Sequence, residues 1–178
     1  LAGEMSLYQM GKREMKTVFI GGGTPTALDA GQMEKLLASI HENIRLGDEY
    51  EFTMEANPGD LTKEKLAVMK AAGVNRLSLG VQTFNEELLK KIGRGHTSED
   101  VYRNIELARE AGFENISIDL IYSLPGQTIE DLQDTINRAL ELELPHFSAY
   151  SLIIEPKTVF YIMLNKGKLS LPSEDTEA

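Results

Sequence analysis

Short apolar runs alternate with amphipathic segments along most of the chain, and this alternation constrains the fold more than any other feature. The amphipathic segments carry apolar residues at helical spacing, as between Asp29 and about Asn43, and they begin at helix-capping residues such as Ser98 and Thr128. The apolar runs are continuous rather than strictly alternating, which is typical of strands in a parallel sheet. Five such strands are predicted, over 17–20, 50–55, 76–81, 116–121 and 147–153.

This order of elements predicts an α/β fold in which helices cover at least one face of a parallel sheet. No low-complexity segment or flexible linker interrupts the order, so a single domain is expected over residues 1–178. The chain begins at Leu1 and closes on 173–178, a segment with the pattern of a helix start. We therefore expect the sequence to be a piece of a longer protein, with an exposed sheet edge through which copies could associate.

Charge and composition exclude several classes of function. The 28 acidic and 18 basic residues give a net charge of −10, and the basic residues are scattered, so no nucleic-acid partner is expected. No apolar run is long enough to cross a bilayer and no secretion signal is visible, which predicts a cytoplasmic location. Because the chain has no cysteine and its three histidines lie far apart, neither a disulfide nor a metal site is expected.

Unusual polar residues stand where the predicted strands end. The triple glycine 21–23 follows the first strand, Glu55 ends the second, Gln82 follows the third, and Asp119 lies in the fourth. In parallel βα folds, ligands bind at the carboxyl ends of the strands, because loops and helix amino termini meet there. The sequence therefore predicts a ligand site that these residues share.

Each of these residues also has a purely structural interpretation. The glycines bring backbone close to a ligand, but they lack the spacing of a dinucleotide or phosphate loop, so a tight strand-to-helix turn is the alternative. Glu55 can accept hydrogen bonds from an ammonium group or from sugar hydroxyls, or it is a solvated acid at a strand end. Asp119 has apolar neighbours in sequence, so its burial would require a ligand or structural donors.

Three further residues are weighed in the same way. Gln82 offers a donor and an acceptor to a ligand, or caps a loop. Arg94 stands between two glycines and can bind a carboxylate bidentately, although a loop arginine is more often solvated. His96 is a candidate proton carrier, and we expect it to be solvated instead.

Several linked motifs of this chain occur in the same order in one protein family. They are 21–26 (GGGTPT), 55–58 (EANP), 75–84 (NRLSLGVQTF), 118–128 (IDLIYSLPGQT) and 154–161 (IEPKTVFY). From about Val18 to Leu171 the chain is similar to the oxygen-independent coproporphyrinogen III oxidase group of radical S-adenosylmethionine (SAM) proteins. Within that group it looks most like the HemW branch, the heme chaperones. The motifs 55–58 and 154–161 carry the likeness to that branch.

The resemblance implies a partial (β/α)6 TIM-like barrel, here without its first strand. It also implies SAM as a ligand and a [4Fe-4S] cluster held by three cysteines. Gly22, Gly23 and Thr24 would contact the methionine part of SAM, Glu55 its amino group and Arg94 its carboxylate. These pairings suit the chemistry, because an acid binds an ammonium and a guanidinium binds a carboxylate.

The resemblance further implies that Gln82 and Asp119 hold the ribose hydroxyls and that Ile153 lines the adenine site. The chain departs from the family in having no cysteine, so it offers no usual ligand for an iron–sulfur cluster. We expect the cluster cysteines to belong upstream of residue 1 and the substrate domain downstream. The chain by itself is therefore expected to be inactive as a radical enzyme.

Three functions follow as expectations. The first is a heme chaperone that binds heme and passes it to an acceptor protein. The second is a SAM-dependent oxidase that decarboxylates the propionates of coproporphyrinogen III. The third, without regard to the resemblance, is a βα-barrel hydrolase, isomerase or sugar-phosphate enzyme that uses Glu55 and Asp119 as an acid–base pair.

Overall fold

The computed structural model describes residues 3–4 and 14–169, and within this part of the chain five strands form one parallel sheet. The strands lie in sequence order and the sheet curls into a partial barrel, as predicted. The strands are β1 (Glu14–Ile20), β2 (Arg45–Ala56), β3 (Arg76–Gln82), β4 (Asn115–Tyr122) and β5 (His146–Ser151). The helices are α1 (Ala30–Asn43), α2 (Lys63–Ala71), α3 (Glu86–Lys91), α4 (Ser98–Glu110), α5 (Ile129–Glu141) and α6 (Val159–Asn165), with a 3-10 turn at Pro25–Ala27.

The two faces of the sheet differ in chemistry. Residues at alternate positions of β2, β3 and β4 are apolar, fully buried and part of one core that includes the inner faces of the helices: Phe52, Met54, Leu77, Leu79, Ile116 and Ile118, with Met33, Leu37, Leu66 and Ile105. The intervening positions are polar and point to the concave face, as period-2 geometry requires. One face of the sheet therefore carries the core, and the other is free to hold a site.

Most helix starts agree with the sequence predictions, because capping residues are local signals. Asp29 and Thr128 each cap a helix in a reciprocal capping box with the residue three positions later. Ser98 was predicted to cap α4, and this is wrong by one residue. Thr97 is the cap, since its hydroxyl accepts from the backbone N–H of Asp100 while the Asp100 carboxylate accepts from the N–H of Thr97.

Three strand limits differ from the predictions by more than one residue. β1 begins at Glu14 rather than at residue 17. β2 begins at Arg45 rather than at residue 50, because its first residues pair with Glu14 and Met15 of β1 before the register shifts. β5 ends at Ser151 and does not reach Ile153. The segment 173–178 lies outside the described residues, and the expected single domain over 1–178 stays a prediction.

Candidate functional site

A polar cavity of about 170 Å³ lies at the carboxyl ends of β1 to β4. Six of the eight residues proposed from the sequence as ligand contacts line it. The two that do not line the cavity are Ile153 and Gly22, and Gly22 precedes the lining residue Gly23 in the same turn. The lining residues are Gly23, Thr24, Pro25, Glu55, Ala56, Asn57, Ser78, Gly80, Gln82, Arg94 and Asp119.

The glycine turn brings backbone against Glu55. A Cβ atom on Gly21 would lie 2.6 Å from Cδ of Glu55 and would also clash with a ring carbon of Phe19, so the position accepts only glycine without displacement. Gly22 and Gly23 both have φ of 81°, and a Cβ at either would meet no atom within 4 Å. The N–H of Gly22 donates to the Glu55 carboxylate at 3.0 Å. The turn is therefore fixed on one side and open on the other.

Asn57 ties three segments of the site together, although the sequence analysis did not single it out as a contact. Its side-chain amide donates to the hydroxyl of Thr24 at 3.2 Å, and its amide oxygen accepts from Nη1 of Arg94 at 3.3 Å. Its backbone N–H donates to the hydroxyl of Thr26 at 3.2 Å. Its place after Glu55, at a strand end, was the available signal.

Asp119 is half-buried rather than fully enclosed, and a chain of hydroxyl groups supports it. The Ser78 hydroxyl donates to Oδ2 of Asp119 at 2.9 Å and lies 3.2 Å from the hydroxyl of Ser117. Nη2 of Arg76 donates to the Ser117 hydroxyl at 3.1 Å. Structural donors thus supply part of what the carboxylate needs, and its remaining acceptor capacity faces the cavity. Ser78 was missed, although it shares the period-2 face of β3 with Gly80 and Gln82.

Gln82 reaches the cavity from an unusual backbone conformation. Its φ is 70°, in the left-handed region, and the pairing register of β3 with β4 shifts between Leu79 and Gln82. A Cβ on Gly80 would lie 2.9 Å from Nε2 of Gln82. Gly80 therefore leaves the room in which the amide of Gln82 sits.

The prediction that His96 is solvated is wrong. The side chain is buried, and its Nε2 lies 3.1 Å from the carbonyl oxygen of Val81. Because a carbonyl only accepts, Nε2 carries the proton. Burial lowers the pKa of His96, so the ring is neutral at pH 7. The sequence carried no signal for this burial, since His96 follows a glycine-rich loop with no apolar periodicity.

Ile153 lies apart from the cavity. Its side chain is 76% exposed, two residues beyond the end of β5. Its role at an adenine ring therefore stays a prediction. The cavity itself presents carboxylates, a guanidinium, an amide and open backbone, a set that suits a small ligand with an ammonium, a carboxylate and hydroxyl groups.

A parallel βα barrel with a polar cavity at its strand ends defines the class of cofactor-binding barrel proteins. Residues 5–139 match the Radical SAM superfamily, and the chain belongs to that superfamily. It is 53% identical over 97% of its length to the Heme chaperone HemW of Bacillus subtilis and 54% identical over 93% to that of Lactococcus lactis. It spans 46% and 44% of these two relatives, about half their length.

A solved structure agrees in fold. The radical SAM coproporphyrinogen III oxidase HemN of Escherichia coli superposes with a TM-score of 0.84 at 31% identity, over 98% of this chain and 41% of that one. Membership of the superfamily favours the radical SAM interpretation over an acid–base hydrolase or isomerase. No helix among the described residues is long and apolar enough to span a membrane.

The superfamily implies SAM and a [4Fe-4S] cluster. The residues of this chain fit the first of these groups but not the second. The open glycine turn and the polar cavity fit SAM. The chain has no cysteine, and residues 3–4 and 14–169 contain no group of three acidic or histidine side chains that could hold a metal. The residues present therefore do not fit the cluster, whose thiolates would have to come from residues other than these.

Proposed function

We propose that this chain is the SAM-binding part of a radical SAM protein that acts as a heme chaperone. The observation that carries the SAM site is the single cavity in which the glycine turn, Glu55, Gln82, Arg94 and Asp119 meet. The heme function is supported by relatives at 53% and 54% identity that bear the name of heme chaperone.

The proposed roles follow from charge and reach. The backbone of Gly22 and Gly23 and the hydroxyl of Thr24 bind the methionine part of SAM. Glu55 then accepts from its ammonium, and the guanidinium of Arg94 binds its carboxylate. The bound group supplies a sulfonium whose cleavage yields a radical when an electron is delivered. The residues of this chain bind and orient it.

The remaining roles fall to the neighbouring strand ends. Asp119, held by Ser78 at 2.9 Å, and the amide of Gln82 take the ribose hydroxyls. Ile153 is proposed for the adenine ring, and this requires 152–155 to turn toward the cavity when SAM binds. A SAM analogue with a photoreactive adenine tests that contact, because crosslinking elsewhere and never at Ile153 contradicts it.

Calorimetric titration of the chain with SAM tests the site directly. We expect measurable binding that Glu55→Gln and Asp119→Asn each weaken by about tenfold, since each removes a charge-assisted hydrogen bond worth roughly 1.5–3 kcal/mol. Glu114→Gln is the matched control, because Glu114 is exposed, precedes the amino end of β4 and does not line the cavity. Absence of heat with the unmodified chain contradicts the SAM site.

The proposal for the whole protein extends to its cargo and partner. A chaperone binds heme, releases it to an acceptor protein and turns over no porphyrin, and we place this exchange in the cytoplasm. Absorbance titration of the full-length protein with heme should show a stoichiometric complex. Affinity capture with heme-loaded protein tests for an acceptor, and cell fractionation tests the location.

The second candidate is an oxygen-independent coproporphyrinogen III oxidase. It is favoured by the superposition on HemN of Escherichia coli at a TM-score of 0.84. Assay of the anaerobically purified full-length protein for decarboxylated porphyrin separates the candidates. Turnover at useful rates supports the oxidase, and a stable heme complex without turnover supports the chaperone.

A further inference from the structure

Gln82 is held in a strained turn at the wall of the cavity. The N–H of Thr83 donates to the carbonyl oxygen of Val81 at 2.9 Å, a bond that spans a single residue, and φ of that residue, Gln82, is 70°. A γ-turn with positive φ is rare and strained. Such a conformation in a residue other than glycine persists only where the surroundings hold it.

His96 supplies a second hydrogen bond at the centre of this turn. Its Nε2–H donates to the same Val81 carbonyl at 3.1 Å, from a side chain that is 7% exposed. The carbonyl therefore accepts from Thr83 and from His96 together, which uses both of its lone pairs. A peptide group fixed in this way cannot rotate freely, and the next residue along the chain is Gln82.

The backbone around His96 also carries a cavity residue. His96 lies two positions after Arg94, in the loop 93–96, and Arg94 lines the cavity while it donates to Asn57. The bond from His96 to Val81 therefore joins this loop to the end of β3. It is the direct link, among the hydrogen bonds of the described residues, between the segment that bears Arg94 and the segment that bears Gln82.

We propose that His96 is a positioning residue for the SAM site. Its ring N–H donates to the Val81 carbonyl, and we call this hydrogen bond the clamp. The clamp holds Gln82 in the γ-turn with its amide in the cavity and keeps the Arg94 loop against β3. The inference rests on the proposed SAM site for its effect on binding, but the hydrogen bond and the turn exist without a ligand.

Two substitutions of His96 distinguish the effect of its hydrogen bond from the effect of its side-chain packing. His96→Leu fills the space but removes the donor. His96→Gln keeps a donor, because the amide nitrogen of glutamine reaches about as far as Nε2 of histidine. Gln82→Gly provides a background in which the strain is relieved, since glycine adopts positive φ freely.

The first measurement needs no ligand. We expect amide hydrogen exchange of Thr83 in the 178-residue chain to rise about tenfold in His96→Leu relative to the amide of Leu77, a fully buried residue near the start of β3, and to change less than about threefold in His96→Gln. Equal exchange of Thr83 in the unmodified chain and in the leucine variant overturns the inference. So does an equal increase in both variants.

The second measurement is SAM affinity by calorimetry. We expect His96→Leu to weaken binding about tenfold and His96→Gln less than about threefold. In the Gln82→Gly background the effect of His96→Leu should fall below about twofold, because the turn no longer needs the clamp and the amide is gone. An undiminished effect there overturns the inference.

The two arms also separate two kinds of failure. If the unmodified chain binds no SAM, the proposed function fails while the exchange of Thr83 still tests the clamp. If His96→Leu does not fold alone, the clamp predicts that Gln82→Gly restores folding, and lack of rescue overturns it.

Discussion

At the scale of single residues, the site depends on glycines whose backbone lies so close to neighbouring side chains that any Cβ atom would clash. Gly21 lets the turn close against Glu55 and Phe19, and Gly80 leaves room for the amide of Gln82. The open positions Gly22 and Gly23 have the positive φ that glycine adopts without strain. The glycines thus serve two purposes, since some admit neighbouring side chains and others leave backbone uncovered.

Gly21→Ala should test the first purpose. The new methyl would sit 2.6 Å from Cδ of Glu55, so the carboxylate must move away from the N–H of Gly22. We expect a loss of roughly 1–3 kcal/mol in the free energy of unfolding, measured by urea titration, and weaker SAM binding. Gly95→Ala is the matched control, because a Cβ there meets no atom within 4 Å. Equal stability of the two variants would contradict the packing argument.

His96 should give stability a pH dependence of defined sign. Burial lowers its pKa most, Arg94 adds to this, and the Val81 carbonyl, Asp100 and Glu86 act in the opposite direction. Because the folded pKa is depressed, the unfolded chain binds the proton first as pH falls. The contribution of neutral His96 is therefore complete above the unfolded pKa of about 6.5 and declines as pH drops below it.

We accordingly expect the free energy of unfolding to fall between about pH 7.5 and 5.5 more steeply in the unmodified chain than in His96→Gln. Urea unfolding at several pH values measures the difference between the two curves. That difference removes the titration of the groups that do not interact with His96, and parallel curves would contradict the expected contribution of His96.

At the scale of elements, capping boxes set where helices begin. Thr128 and Asp131 exchange hydrogen bonds at the start of α5, with the Asp131 N–H donating to the Thr128 hydroxyl at 3.1 Å and the Thr128 N–H to Oδ2 at 2.9 Å. Asn85, which caps α3, also donates to Asp131 at 2.8 Å. The hydrogen bonds that its carboxylate accepts lower the pKa of Asp131, and the bond from the backbone N–H of Thr128 is the largest cause.

Thr128→Ala should cost about 1 kcal/mol of unfolding free energy, the usual cost of losing a cap. Chemical denaturation at pH 7 measures this, and Gln133→Ala, an exposed change within the same helix, is expected to stay within about 0.5 kcal/mol of the unmodified chain. A loss for Thr128→Ala no larger than that of the control would show that Asp131 and Asn85 suffice to start α5.

The same elements show what sequence could and could not predict. Helix starts and the parallel sheet follow from short-range patterns, so they were predictable. The first half of β2 was not, because Arg45 and Leu46 follow no strand pattern and are in the strand only through pairing with Glu14 and Met15.

In the site, Glu55 and Asp119 were predictable because charge at a strand end is conspicuous. Ser78 and Asn57 form hydrogen bonds to other residues of the site. Those partners are distant in sequence, so these two residues could not be predicted without the folded structure. The burial of His96 depends on a loop packing against the end of β3 and likewise has no local signature.

At the scale of the whole molecule, the described sheet has two edges. β1 and β5 each pair with one neighbour among the described strands, and β5 carries Phe147 and Tyr150 with 38% and 58% of their surface exposed. An exposed edge with apolar side chains is a template for pairing between chains. The net charge of −10 acts against this, because like-charged copies repel one another.

We therefore expect the 178-residue chain to self-associate as its concentration rises, and more strongly at about 0.15 M salt than at 0.01 M, where the Debye length grows from roughly 8 to 30 Å. Sedimentation velocity measures this. Phe147→Lys should reduce association by placing a charge on the edge, whereas Gln133→Lys adds the same charge on exposed α5 and changes only the overall repulsion. If the two variants behave alike, net charge rather than the β5 edge governs association, and a monomer under all conditions would contradict edge pairing altogether.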